Sequence, residues 1–302
     1  MIDLDIFSSE AMLTSRVGTV RFSINNLFPA EFATNLAATF PNSLLAERLG
    51  DGLYSNINLN EDSPRINDFF RQNPDWHEYR ELVRSKLFVD NCIAFLHNDL
   101  RNRYSNLWQI FFKSRATSTK HIFTTMQATM SRSGFIMSPH SDDKYALVSM
   151  IHYFPANGSS AQLTGGTRFF KPKTDSLRTK DIRKFTEWGR GLRRILPFWL
   201  AIGFEGSVSR NKYGGTINQT EISAFNELFV ESNYFTYESN KLIGFVKDSF
   251  SFHEVDLLAF PESELRCAIL VNLRLKPSKI SVFYDRIINK LDRIIEQRRD
   301  LN

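Results

Sequence analysis

Cysteine is scarce: the 302 residues hold two, Cys92 and Cys267, far apart and in apolar settings. That excludes a disulfide framework or a cysteine-built metal site, and it suits a reducing compartment. Long apolar runs are also missing. The longest, ILPFWLAIGF at 195–204, is too short to cross a bilayer. The opening MIDLDIFSSE lacks a basic region followed by an apolar stretch, so no secretory signal is visible. A soluble, cytoplasmic chain is the expectation. There is no internal repeat, no low-complexity tract and no dominance of one charge sign, since 38 Lys and Arg against 33 Asp and Glu leave +5. Nucleic acid, an anionic surface or an acidic substrate could each use that balance, and it selects none of them.

What is present is an ordinary globular composition, 42% hydrophobic and 24% charged, with 27 phenylalanines suited to packing between β layers. Residues 17–24 alternate as a strand, and 29–41 carry helical apolar spacing. The stretch 44–75, rich in Asn, Asp, Ser and Pro, reads as loop, and 76–112 as helix in one or two pieces. After residue 120 the pattern changes to short runs rich in β-branched and aromatic residues. These are 121–130, 146–154, 167–170, 241–246 and 266–275. Strands after a helical start predict an α+β fold, with a jelly-roll (double-stranded β-helix) core and N-terminal helices packed outside it. The expected organisation is one domain over 1–302, with a mainly helical part at 1–119 and the strand core at 120–275. A long insertion at 173–238 interrupts that core, and an amphipathic helix falls within 276–302.

Chemistry concentrates at SPHSDD, 138–143. His140 and Asp142 are two apart, so a strand would point both to one face. With a third ligand from elsewhere, an imidazole and a carboxylate on one face make the two-His-one-carboxylate triad of non-haem Fe(II) oxygenases. Alone, HxD is a weak signal, more often a solvated strand end than a metal site. Its surroundings are more specific. A strand-like VSMIHYF follows, then GGTRFF at 165–170, then NKLIGFVKDSFSFHEV ending near His253, then RCAILVNL from Arg266.

That order resembles the 2-oxoglutarate/Fe(II)-dependent oxygenase superfamily, and within it the prolyl-4-hydroxylase-like branch. The matching residues are Gly134, His140, Asp142, Tyr153, Gly165, Gly166, Phe169, His253 and Arg266, over 120–175 and 238–275. The resemblance implies Fe(II) on His140, Asp142 and His253, with O2 and 2-oxoglutarate as cosubstrates. It implies Arg266 on the distal carboxylate of 2-oxoglutarate, where a guanidinium offers a planar fork, assisted by Tyr153. Arg274, even-spaced from Arg266 and so on the same strand face, is a rival for that carboxylate. Where the family often carries a tyrosine before the glycine of Gly134, this chain has Ser131, with Gln127 or Thr129 as substitutes. His121 and His152 lack a ligand partner at useful spacing and read as packing residues.

The substrate is less legible. Asp142 argues for hydroxylation over halogenation, because the family's halogenases replace this carboxylate. Asn272 stands where the nucleic-acid demethylase branch has a second arginine, which disfavours nucleic acid. The stretch 178–194 holds seven Lys or Arg and two acidic residues around Phe185 and Trp188, and could receive an anionic or carrier-linked substrate or simply face solvent. Hydroxylation of an unactivated C–H bond in a small or carrier-linked molecule is the expectation. A prolyl-type protein hydroxylase and a non-catalytic jelly-roll binding protein are the alternatives, and the oligomeric state is not legible.

Overall fold

The computed structural model describes residues 12–15, 20–49, 52–103, 119–142, 145–155, 165–174, 176–177, 185, 206–207, 219–248, 250–276, 286 and 290. The basic stretch 178–194 (save Phe185), the apolar run 195–204, the turn 211–218 and the helix expected over 280–299 (save Arg286 and Lys290) lie outside the described residues.

In chain order, β1 (Met12–Ser15) and β2 (Arg21–Ile24) precede α1 (Ala30–Ala38) and α2 (Asn42–Leu49). Then come β3 (Tyr54–Asn58), α3 (Pro64–Gln72), α4 (Pro74–Arg84), α5 (Lys86–Phe95) and α6 (His97–Arg103). The stretch expected as loop at 44–75 therefore contains most of α2, a strand and a helix. Its polar residues are caps and solvent faces: the Ser63 hydroxyl accepts from the Ile66 N–H at 3.4 Å, and Pro64 opens the first turn of α3, where its missing N–H costs nothing. Ile66 and Phe70 of α3 are buried and Phe69 packs beside them, one apolar face on an otherwise polar helix. Helices α4 and α5 are separate, broken at Ser85, whose hydroxyl caps the Phe88 N–H at 3.1 Å. Between them they bury Trp76, Tyr79, Val83, Phe88, Val89, Cys92 and Ile93.

The later strands are β4 (Ile122–Ser131), β5 (Met137–Ser141), β6 (Ala146–Tyr153), β7 (Thr167–Pro172) and β8 (Gly206–Ser207). After them follow α7 (Gln219–Leu228), β9 (Phe229–Phe235), β10 (Leu242–Val246), β11 (His253–Val255) and β12 (Arg266–Leu275). The strand series thus continues through β8 and β9, inside the interruption expected over 173–238. The alternation of β9 is muted because only Phe229 and Phe235, at its ends, are buried. All described pairings are antiparallel, giving a seven-stranded sheet β1-β2-β10-β6-β12-β4-β3 and a five-stranded sheet β8-β5-β11-β7-β9.

Period-two alternation sorts side chains into layers. On β12, Cys267, Ile269, Val271, Leu273 and Leu275 pack against the helices, in one cluster with Trp76 and Met150. The alternate set, Arg266, Ala268, Leu270, Asn272 and Arg274, faces the smaller sheet. Between the sheets, Tyr153, Ile243, Phe245 and Ala268 of the larger meet Phe169, Phe235 and Val255 of the smaller. Beyond the smaller sheet, Phe225 of α7 stacks on Phe229 at 4.5 Å between ring centres and packs with Phe170 and Phe252. The order is helices, large sheet, small sheet, helix. Strand β6, covered on both faces, is buried throughout, and so its sequence reads as an apolar run interrupted by Ser149 and His152.

Candidate active site

The small sheet brings the expected ligands together. His253 of β11 pairs directly with His140 of β5, and Asp142 lies just past the end of β5. Imidazole and carboxylate atoms of His140, Asp142 and His253 all lie within 4.8 Å of one another, an arrangement that can hold a metal ion. Backbone carbonyls orient both rings. His140 Nδ1 is 2.9 Å from the Ser138 carbonyl oxygen, and His253 Nδ1 is 3.3 Å from that of Ser251. An Nδ1–H donated to a carbonyl leaves Nε2 as the lone-pair nitrogen, the tautomer a metal requires. His253 Nε2 lies 4.0 Å from Asp142 Oδ1, while the Ser149 hydroxyl of β6 donates to Asp142 Oδ2. The serine ties the outer oxygen to the large sheet and leaves Oδ1 turned towards the histidines. Two imidazoles and one carboxylate are the donor set of non-haem Fe(II) sites.

The cluster sits in a cavity of about 230 Å³ between the sheets. Apolar walls come from Met137, Ile151, Phe245, Val255 and Leu270, polar ones from Gln127, Thr129, Thr167 and Asn272. Arg266 forms its buried end, at 4% exposure. The guanidinium is held rigidly: Nε donates to the Gly165 carbonyl at 2.6 Å, and the Tyr153 and Tyr237 rings flank it at 5.6 and 5.8 Å. With Nε used on the wall and Tyr153 hydrogen-bonded beside it, the terminal nitrogens can still offer a fork to a carboxylate.

This explains both glycine marks in the sequence. Gly134 turns the chain between β4 and β5 at φ +84, a left-handed conformation that disfavours a side chain. At Gly166 a Cβ would stand 2.3 Å from the Phe235 carbonyl oxygen, so β9 closes on the Gly165–Gly166 segment that holds Arg266 only because no side chain intervenes.

Tyr153 is fully buried and is not one of the cavity's described lining residues. Its hydroxyl donates to Thr167 Oγ1 at 2.6 Å, so it stands behind Arg266 and Thr167 as a support. Burial pushes its phenol up to about 12, opposed by Arg266 and by the hydrogen bond to Thr167. Tyr237 is raised above the ordinary range by burial too, and its hydroxyl is anchored on the Cys267 carbonyl at 3.1 Å.

Sequence reasoning missed Tyr54. It lies on β3 directly opposite Ser131, lines the cavity, and stacks on Phe135 with 5.1 Å between ring centres. The Ser131 hydroxyl itself is buried without a hydrogen-bond partner among the described residues. A tyrosine from the neighbouring strand thus occupies the region where Ser131 is too short to reach. Reading 44–75 as loop hid it. Gln127 and Thr129, suggested as substitutes, also line the cavity, although the Thr129 hydroxyl donates to the Ala268 carbonyl at 3.1 Å. Arg274 lines the cavity as well, towards its other end.

The remaining histidines stay out of the cluster. His152 packs among Phe28, Tyr79 and Phe154, where burial pushes its pKa down to about 3 and keeps it neutral. His121 ends the 3-10 turn Thr119–His121, its carbonyl accepting from the Lys276 N–H at 2.8 Å. Both free cysteines are buried, and no described helix is long and apolar enough to cross a membrane.

No family model and no curated protein sequence matches the chain. Solved structures similar to it include a prolyl-4-hydroxylase from Pseudomonas putida, 10% identical with a TM-score of 0.38, covering 90% of this chain and 97% of that one. A Trichoplax adhaerens prolyl hydroxylase in complex with a hypoxia-inducible-factor peptide fragment is 11% identical with a TM-score of 0.40, covering 90% and 87%. EvdO2 from Micromonospora carbonacea, complexed with 2-oxoglutarate, is 11% identical with a TM-score of 0.38, covering 92% and 94%. Identities and scores this low assign no role to any residue here; such roles rest on the geometry of the site.

Proposed function

We propose that this chain is a non-haem Fe(II)- and 2-oxoglutarate-dependent dioxygenase, a single double-stranded β-helix domain acting in the cytoplasm. The observation that carries the proposal is the convergence of two carbonyl-oriented imidazoles and one serine-held carboxylate in a cavity closed at its far end by a buried arginine. His140, Asp142 and His253 would hold Fe(II). When bound, the metal with 2-oxoglutarate and O2 supplies a two-electron oxidation that yields succinate, CO2 and a hydroxylated substrate.

The chain's own part is placement. Arg266 receives the distal carboxylate of the cosubstrate, and the small Ala268 beside it on the inner face of β12 leaves room for the carbon chain. Thr167 and Tyr54 stand within the same cavity to satisfy the remaining carboxylate oxygens. Met137, Phe245 and Val255 keep water from the reacting region. The partly polar cavity, closed at one end, favours a small or carrier-linked substrate hydroxylated at an unactivated C–H bond.

Anaerobic titration with Fe(II) and 2-oxoglutarate tests this directly. A stoichiometric metal-to-ligand charge-transfer band, with succinate released on admitting air, is the expected result. His140→Ala and Asp142→Ala abolish both signals; activity surviving either substitution means that the ligands are wrongly assigned. No band and no succinate from the unaltered protein rejects the oxygenase reading in favour of a binding protein.

A further inference from the structure

We infer that Arg274 is a second anion-receiving point, at the open end of the cavity, for a carboxylate or phosphate group on the substrate. The inference rests on the oxygenase reading and adds a chemical class of substrate to it.

The inner face of β12 runs from buried to open. Arg266 and Ala268 are 4% and 0% exposed, whereas Leu270, Asn272 and Arg274 are half-buried. The neighbouring strand agrees: Ser131, opposite Arg266, is 0% exposed, and Phe123, opposite Arg274, is 36% exposed. The cavity is therefore closed at Arg266 and opens towards Arg274. Asn272 pairs with Ser149, the residue that holds Asp142, so the metal cluster lies at the level of Asn272. Two strand residues advance about 6.7 Å. Arg274 is one such step from that level on the open side, and Arg266 is three steps away on the buried side. Two guanidiniums thus flank the metal cluster, one for each direction from which a ligand is held.

A cosubstrate with one distal carboxylate occupies only one of them. Among the described lining residues Asp142 is the one carboxylate, and it is engaged by Ser149 and turned to the histidines. Arg274 already has a partner, and because a guanidinium has five N–H donors it can keep that partner and still present a pair to an incoming anion. Asn272 adds an amide at the same end. A cation at a cavity mouth between low-dielectric walls also concentrates anions there, which raises the rate of capture.

The test is calorimetric titration with methyl phosphate and, separately, acetate. The protein is first loaded under nitrogen with Fe(II) and saturating 2-oxoglutarate, so that Arg266 is occupied. The expected result is single-site uptake of at least one anion, weakened tenfold or more in Arg274→Gln. Asn272→Asp, which places a carboxylate beside Arg274, weakens it likewise and serves if the first variant fails to fold. Uptake of methyl phosphate alone assigns a phosphorylated substrate, and uptake of acetate alone a carboxylate. No uptake of either anion, or uptake unchanged in a folded variant, overturns the inference. The charge-transfer band is recorded on each sample beforehand. A missing band rejects the oxygenase reading, and the same titrations on iron-free protein then decide the anion site separately.

Discussion

Substituting Ser149→Ala isolates the contribution of a residue that touches the carboxylate ligand and cannot itself bind a metal as the histidines do. Ser149 is 3% exposed, and its hydroxyl donates to Asp142 Oδ2 across the gap between the sheets. A hydrogen bond to a charged acceptor is worth about 1.5–3 kcal/mol. Part of that energy goes into holding Asp142 Oδ1 4.0 Å from His253 Nε2. Without the hydroxyl, the carboxylate must pay for its own ordering when metal binds. At about 1.4 kcal/mol per tenfold, the expected loss in metal affinity is about 10- to 100-fold, the usual range for partners that orient a ligand. Calorimetric titration with Fe(II) under nitrogen reads it, with thermal melting of the metal-free protein as the control. Methyl and hydroxymethyl differ little in volume, so the melt should move by only a few degrees. A variant that folds normally and binds metal within threefold of the unaltered protein refutes the claim that Ser149 positions Asp142.

Three further outcomes follow from the same geometry. Arg266→Lys replaces a planar fork with a point charge and should weaken 2-oxoglutarate binding by about 10-fold or more while leaving Fe(II) affinity alone; an equal loss of both would mean that Arg266 serves the fold instead. Gly166→Ala puts a Cβ 2.3 Å from the Phe235 carbonyl oxygen and should cost about 1–3 kcal/mol, lowering the melting temperature and 2-oxoglutarate affinity together through the Gly165 contact to Arg266. His152, with its folded pKa pushed from 6.5 down to about 3 by burial, makes stability pH-dependent. As pH falls the unfolded chain takes the proton first, so stability is full above about 6.5 and declines by about 1.4 kcal/mol per unit towards 3. Urea unfolding at pH 7 and pH 5 should show a decline larger by about 2 kcal/mol in the unaltered protein than in His152→Leu. Equal declines would show that His152 is not the proton-linked group.

Some of this protein was legible in one dimension because the physical cause is local. Residues two apart on a strand share a face whatever surrounds them, so HxD could be read as one imidazole and one carboxylate side by side. The composition of 266–275, a short run rich in β-branched and apolar residues, marked β12 to the residue. Glycines forced by a left-handed turn or a close strand approach announced themselves through residue type, at Gly134 and Gly166. Where burial was partial the pattern faded: β9 shows little alternation, because only its end residues enter a core.

What the tertiary structure alone decided is which separate pieces of chain meet. His253 lies 113 residues from His140, and only the pairing of β11 with β5 sets their rings 4.2 Å apart. Tyr54 reached the cavity through the pairing of β3 with β4, an event that leaves no trace in its own polar neighbourhood. Tyr153, legible as a motif residue, proved to stand behind the wall, because its hydroxyl is drawn to Thr167. Arg266 and Arg274 looked like rivals for one role, since strand periodicity gives both the same face. The packing of the sheets closes the cavity around one and leaves it open at the other, and depth is a property that spacing along a strand does not encode.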